Sequence, residues 1–373
     1  MKFRILLMYI SPRSGHHAAA LAIDKALHQI DPTITTSLVN SFRYTNPILE
    51  RIVSETYLKV IQTTPEVWDF LYDNPTLVKN TQTFRKLIHR FNSKKLSKLI
   101  EGFKPDAVLC TQAFPCGMVA DYKKRHHLDL PLIAVLTDYC PHSYWFYDNV
   151  DAYIVSSFIA VDRFKKNGIP TDRIHEFGIP IDPHLTRVPS PETVRARWGL
   201  DPRLPIILLM GGSQGLGPIK NVVQELDQIP EHFQIVVICG SNGALRRWLE
   251  RHQKKTRKKI VVLGFAKEIN ELMSVSLALI TKPGGLTSAE AVAMHLPMIL
   301  INPIPGQEAQ NARILLNKRI AMQAVDGRET ALLIQRLLRD PQLVGDMREA
   351  TRQMARPHSA IETAALALRL ARR

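Results

Sequence analysis

The chain has 373 residues, 45% of them apolar and 22% charged, which is too long for one ordinary domain and supports two with full cores. No stretch approaches the ~18 apolar residues that span a bilayer. Four cysteines, Cys110, Cys116, Cys140 and Cys239, form no Cys-x-x-Cys pair and read as reduced thiols in a cytosolic protein. The net charge of +15 is uneven, with 27 basic against 16 acidic side chains over 185–373 and 22 against 18 before that. No nucleic-acid motif accompanies it, so nucleic acid is set aside as a partner.

Lys2 and Arg4 precede a six-residue apolar run, too short for a signal peptide, and Phe3–Ile10 reads as a first β-strand. Ser11-Pro12-Arg13-Ser14-Gly15-His16-His17 follows and leads into a helical run, Ala18–Leu27. Gly15 permits a tight turn. A histidine at that helix start can act as a general base near neutral pH, although the positive helix end tends to depress its pKa. Chemistry alone does not choose His16 over His17. Lys79–Lys104 then holds eight Lys/Arg against Glu101, interleaved with Phe84, Leu87, Ile88, Phe91, Leu96, Leu99 and Ile100. That is the pattern of a basic amphipathic helix on an anionic membrane, or of a solvated helix face.

Further strands are expected at Ala107–Cys110, Leu132–Thr137 and Ala152–Ser156. The middle one ends at Thr137-Asp138, with His142 and Trp145 close behind; these could frame an acceptor pocket, or simply cap and pack. Pro180–Pro205, with six prolines, reads as a linker. Beyond it, Ile206–Met210 runs into Gly211-Gly212-Ser213-Gln214-Gly215-Leu216-Gly217-Pro218. Such a turn lets backbone N–H groups and a Ser hydroxyl approach a diphosphate, though it matches neither the P-loop nor Gly-x-Gly-x-x-Gly. Ile235–Cys239 and Ile260–Leu263 are further strands. Between them, Arg246–Lys259 carries eight basic residues against Glu250 and reads as a solvated face.

Leu277–Ile280 leads to Lys282-Pro283-Gly284-Gly285-Leu286-Thr287-Ser288-Ala289-Glu290. Two glycines before the helical run Leu286–Met294 leave N–H groups and a helix dipole for a phosphate. After Met298–Ile301 comes Pro305-Gly306-Gln307-Glu308-Ala309-Gln310-Asn311, an amide and a carboxylate suited to vicinal sugar hydroxyls. Together they suggest a nucleotide-sugar site. Strands alternating with helices imply two doubly wound α/β domains facing a cleft, with ligands at the strands' C-terminal ends. No Asp-x-Asp pair or His/Cys set supports a metal.

These segments resemble glycosyltransferase family 28. The resemblance rests on Gly15-His16 before an Ala-rich helix, Thr137-Asp138 with His142 and Trp145, Gly211–Gly215, Lys282–Glu290 and Pro305–Asn311. Within the family, the chain is most similar to the diacylglycerol glycosyltransferases, the plant-type monogalactosyldiacylglycerol synthases and bacterial processive diacylglycerol glucosyltransferases. The likeness covers nearly the whole chain, including Asn46–Pro75, which is similar to that group's acceptor segment.

The resemblance implies two Rossmann-like domains of GT-B type. An acceptor-binding, membrane-facing domain would span 1–184, a linker 185–205 and a UDP-sugar domain 206–357, with a helix over 358–373 that could pack back on the first domain. His16 matches the family histidine that deprotonates the acceptor hydroxyl, and Gly15, Asp138, His142 and Trp145 fall to the acceptor. Gly212, Ser213 and Gly215 match the diphosphate loop, and Gly284, Gly285 and Thr287 a second phosphate turn. Glu290 matches the ribose carboxylate, Gln307, Glu308 and Asn311 the hexose contacts, and Phe265 the uracil segment. No metal cofactor is implied.

The implied activity is inverting transfer of glucose or galactose from a UDP-hexose to diacylglycerol in anionic membranes. Lys79–Lys104 would do the docking, on the inner face of the cell membrane. Two departures qualify it. Arg13-Ser14-Gly15-His16 has less glycine than usual, and Gly-Gly-Ser-Gln-Gly is closer to the N-acetylglucosaminyltransferases that build cell-wall lipid intermediates. Transfer of N-acetylglucosamine to such a precursor is therefore an alternative, and a non-catalytic nucleotide-sugar-binding protein a second.

Overall fold

The computed structural model of the protein describes residues 2–12, 14–45 and 94–372. They form two α/β units, each built on a six-stranded parallel sheet.

The first unit comprises residues up to 183 with 304–307 and 356–373. Its strands are β1 Arg4–Tyr9, β2 Thr35–Asn40, β3 Ala107–Cys110, β4 Leu132–Val135, β5 Ala152–Ile154 and β6 Ile174–His175, in the order β2-β1-β3-β4-β5-β6. Successive strand residues point to opposite faces, and both faces are apolar here. Leu6, Met8, Val108, Cys110, Leu132 and Ala134 pack beneath helices Ala113–His126 and Phe158–Lys166 and a helical stretch at 94–103. Ile5, Leu7, Leu109, Ile133, Val135 and Ile154 pack beneath helices Gly15–Ile30 and Ser359–Ala371. Those two helices lie against each other. Ala360, Ala364 and Ala367 are fully buried, so small side chains let the backbones approach closely, and Ser359 Oγ donates to the Ile179 carbonyl at 2.8 Å.

The second unit comprises residues 184–303 and 308–355. Its strands are β7 Ile206–Met210, β8 Gln234–Ile238, β9 Lys259–Leu263, β10 Ala278–Thr281, β11 Met298–Ile301 and β12 Ala321–Ala324. Their order, β12-β11-β10-β7-β8-β9, starts at the sheet centre and winds outward in both directions, as in dinucleotide-binding folds. Ile207, Leu209, Val237, Ile280 and Ile299 form a continuous core with Val222, Leu226, Ile334 and Leu337. Residues 185–205 carry the helix Pro191–Arg197, and Trp198 Nε1 donates to Glu271 Oε2 at 3.0 Å.

The expected strands are all present within a few residues of their ends. Three that the pattern did not suggest, β2, β6 and β12, are edge strands with partly or fully exposed positions. The apolar run that marks a doubly buried parallel strand is missing from each.

Candidate active site

In a doubly wound sheet the loops on either side of the strand-order reversal diverge and leave a crevice at the strands' C-terminal ends. In the first unit that point lies between β1 and β3. Ser14 caps helix Gly15–Ile30, its Oγ accepting from His17 N at 3.2 Å and lying 2.7 Å from the Ser11 carbonyl. The left-handed residue of this turn is Ser11, with φ 55°, not Gly15.

His16, in the first turn of that helix, is half-buried. Its Nδ1 is 2.9 Å from the Thr111 carbonyl, just past β3, and 2.8 Å from Thr137 Oγ1, just past β4. A carbonyl only accepts, so the contact puts the proton on Nδ1 and leaves a lone pair on Nε2. Thr111 Oγ1 returns a bond to the His16 carbonyl at 2.9 Å, which locks the two loops together. Burial pushes the His16 pKa down to about 4, outweighing the bond to Thr111, so the ring is neutral at physiological pH. His17 differs: its ring stacks on Tyr9, with centroids 4.4 Å apart. Of the two histidines that chemistry could not separate, His16 has the geometry of a base.

The second unit's reversal lies between β7 and β10. Helices Ile219–Gln228 and Gly285–Ala293 start beyond the turns that leave these strands, capped by Pro218 and Gly284 without any side-chain hydrogen bond. Helix Gly243–His252, after β8, has an Asn242 cap instead. Two helix starts flanking the crevice thus keep first-turn N–H groups for an anion. Gly212 and Gly215 both have positive φ. A Cβ on Gly215 would stand 2.3 Å from the Cys239 carbonyl, and Ser213 O accepts from Ser241 N at 2.9 Å, so the turn is moulded onto the loop after β8. Ser213 itself is exposed.

Lys282, which the motif contained but to which no role was given, links the parts. Its side chain passes over Gly212, where a Cβ would lie 3.0 Å from Lys282 Cε, and its ammonium forms an ion pair with Glu308. Gly284, Gly285 and Thr287 open the helix that carries Glu290 one turn further on. Asn311 is fully buried and its Nδ2 donates to the Pro283 carbonyl at 3.1 Å, bracing the turn before helix Gly285–Ala293. Gln307 and Glu308 begin helix Gln307–Asn317. Phe265, 62% exposed, follows β9 at the same end of the sheet.

Other expected acceptor residues have structural duties. Trp145 lies in the first unit's core and His142, also buried, accepts from Tyr144 N at 3.3 Å at the start of the short turn Ser143–Trp145. Asp138 lends its carbonyl to Ser156 Oγ at 2.9 Å, while its carboxylate accepts from Gln307 Nε2 at 2.9 Å, which brings two of the expected site residues together. Residues 79–93 of the basic segment and the acceptor-like Asn46–Pro75 lie outside the described residues. Among those described, no cluster of three His, Cys, Asp or Glu could hold a metal, and no helix is long and apolar enough to cross a membrane.

Two family profiles divide the chain: monogalactosyldiacylglycerol synthase over residues 16–181, and the glycosyltransferase family 28 C-terminal domain over 206–363. A processive diacylglycerol β-glucosyltransferase of Bacillus cereus is 31% identical over 364 residues, which is 96% of this chain and 91% of that protein. One from Bacillus anthracis shows the same identity and coverage. The chain belongs to glycosyltransferase family 28, in its diacylglycerol glycosyltransferase group. The transferase is also similar in structure to Acinetobacter baumannii MurG, with TM-score 0.67, 15% identity, and 98% of this chain and 99% of that one covered. Anabaena HepE in complex with UDP-glucose gives TM-score 0.56 at 13% identity, covering 98% and 99%. At such identities the fold is what the transferase shares with them, and it is of the GT-B type. One profile begins at His16 and the other at β7, ahead of the glycine turn.

Proposed function

We propose that the protein transfers glucose from UDP-glucose to the hydroxyl of diacylglycerol with inversion, giving a β-glucosyl lipid. The observation that carries this reading is the 31% identity to diacylglycerol β-glucosyltransferases over 96% of the chain. The same likeness favours glucose over galactose, and diacylglycerol over a cell-wall lipid precursor.

The geometry supports a chemical course. UDP-glucose is held by its diphosphate on the two uncapped helix starts and the Lys282 ammonium, by its ribose on Glu290 and by its hexose on Gln307 and Glu308. The acceptor oxygen bonds to the anomeric carbon from the face opposite the nucleotide as the carbon–phosphate-oxygen bond breaks. His16 Nε2 takes the hydroxyl proton, and the bond's electron pair leaves with UDP. The Thr111 carbonyl supports the imidazolium that forms through Nδ1–H. Preorganised N–H dipoles and a fixed ammonium meet the charge that develops on the diphosphate, a role that asks for no metal. Diacylglycerol stays in the bilayer, so the enzyme works as a peripheral protein at the cytoplasmic membrane surface.

The test is to offer UDP-glucose, UDP-galactose and UDP-N-acetylglucosamine, each radiolabelled, with diacylglycerol or with a lipid-linked cell-wall precursor. The expected outcome is label in diacylglycerol from UDP-glucose. Label only in the precursor from UDP-N-acetylglucosamine would replace this reading with the cell-wall one.

A further inference from the structure

The first unit presents two unlike helical faces. Helices Gly15–Ile30 and Ser359–Ala371 carry two Lys/Arg and two Asp/Glu between them. On the other side of the sheet, the stretch 94–103 and helices Ala113–His126 and Phe158–Lys166 carry nine Lys/Arg against three Asp/Glu. Lys94, Lys95, Lys98, Lys124, Lys165 and Lys166 of this face are exposed. The stretch 94–103 turns its apolar side inward: Leu96 and Ile100 are buried in the core, so this described end of the basic segment has no apolar side left for lipid.

The same face has an apolar tip elsewhere. Phe158 is 74% exposed and Ile159 46%, side by side at the start of their helix. That start follows β5, so it stands at the C-terminal end of the sheet, the end that carries His16. It is also rigidly placed. Ser156 Oγ donates to the Asp138 carbonyl at 2.9 Å, Ser157 Oγ to the Tyr139 carbonyl at 2.6 Å, and Arg163 contacts Cys140 Sγ at 3.4 Å. Two large apolar side chains held out in water cost free energy that only a covering partner recovers.

We propose that Phe158 and Ile159 are a membrane-inserting tip that seats the segment after β4 on an anionic lipid surface. The inference rests on the glycolipid reading for its biological sense and on surface chemistry for its partner. The cations on the same helical face complement anionic headgroups, and the pair enters the acyl boundary. Its fixed tie to the strand ends brings the bilayer to the end of the sheet where His16 would meet a lipid hydroxyl.

Phe158→Trp supplies the probe, read as a difference from wild type with vesicles of phosphatidylglycerol or phosphatidylcholine carrying brominated acyl chains. The added indole should shift to the blue and be quenched on phosphatidylglycerol but not on phosphatidylcholine. The double variant Phe158→Ser/Ile159→Ser should bind phosphatidylglycerol vesicles on the order of ten-fold to hundred-fold more weakly. Its turnover of a short-chain diacylglycerol below its micelle concentration should be unchanged. An unquenched indole, undiminished vesicle binding by the double variant, or a loss of self-association as its only effect would overturn the proposal. If wild type makes no glycolipid from any diacylglycerol the functional reading fails, while quenching and vesicle binding still decide the tip.

Discussion

His16 Nδ1 lies 2.9 Å from the backbone carbonyl of Thr111, a residue 95 positions away on the loop after the neighbouring strand. A backbone acceptor does here what a carboxylate does in many catalytic dyads: it fixes the tautomer and aims Nε2. Being uncharged, it does not hold a proton on the ring as a carboxylate would, and burial keeps the pKa low.

Removing the base should remove the chemistry and spare the donor. His16→Asn is expected to lower kcat by about 10²–10⁴ while UDP affinity, measured calorimetrically, stays as in wild type. Thr137→Val, which removes the second Nδ1 partner, should lower kcat by about five-fold, the ~1 kcal/mol of one neutral hydrogen bond.

The depressed pKa has two consequences with pH. Because the neutral ring is the base, the acid limb of kcat/KM should fall near pH 4 and not near the ordinary histidine value of 6.5. Between pH 6.5 and 4 the unfolded chain binds a proton at this position that the folded one refuses. His16 therefore makes folding less favourable as pH falls through that window, and His16→Asn should lose less stability on acidification. An acid limb at 6.5 would rule out the depression by burial.

Two glycines should separate strain from ligand approach. Gly215 has φ 58° and a Cβ there would stand 2.3 Å from the Cys239 carbonyl, so Gly215→Ala should cost about 1–3 kcal/mol or more in urea unfolding. At Gly284 a Cβ meets nothing within 4 Å and φ is −71°. Gly284→Ala should therefore unfold like wild type and yet raise the KM for UDP-glucose, since the added methyl occupies the phosphate's approach to the helix start. An unchanged KM would remove that turn from the donor site.

The Lys282–Glu308 pair is only partly exposed, at 26% and 13% for the two side chains. Lys282→Met should lower kcat by about 10²-fold, the usual effect of losing one preorganised group from a site of charge development. Lys282→Arg, which keeps the charge, should restore part of it. A loss confined to thermal stability would mark the pair as structural.

Much of this was legible in the sequence because central parallel strands are buried on both faces and read as unbroken apolar runs: Ile206–Met210 and Met298–Ile301 have those ends in the structure. Thr35–Asn40, half-exposed at an edge and holding two threonines, a serine and an asparagine, carries no such run. The glycine turns were visible because only glycine fits Gly215's backbone and surroundings. Nothing local, however, announces that the carbonyl of Thr111 will meet His16, since a backbone atom has no residue signature. Lys282 was similarly hidden inside a glycine motif, its partner supplied by the next strand's loop. Trp145 read equally as pocket or core, and its burial among apolar neighbours places it in the core.

The most direct test of hexosyl transfer to diacylglycerol with inversion is the anomeric configuration of the product. Purified enzyme is incubated with the α-linked donor UDP-glucose and diacylglycerol in phosphatidylglycerol vesicles, and the isolated lipid is read by mass spectrometry and proton NMR. The account predicts a hexosyl-diacylglycerol with a β-linked glucose, absent with His16→Asn. An α-linked sugar, or free glucose with no glycolipid, would contradict it.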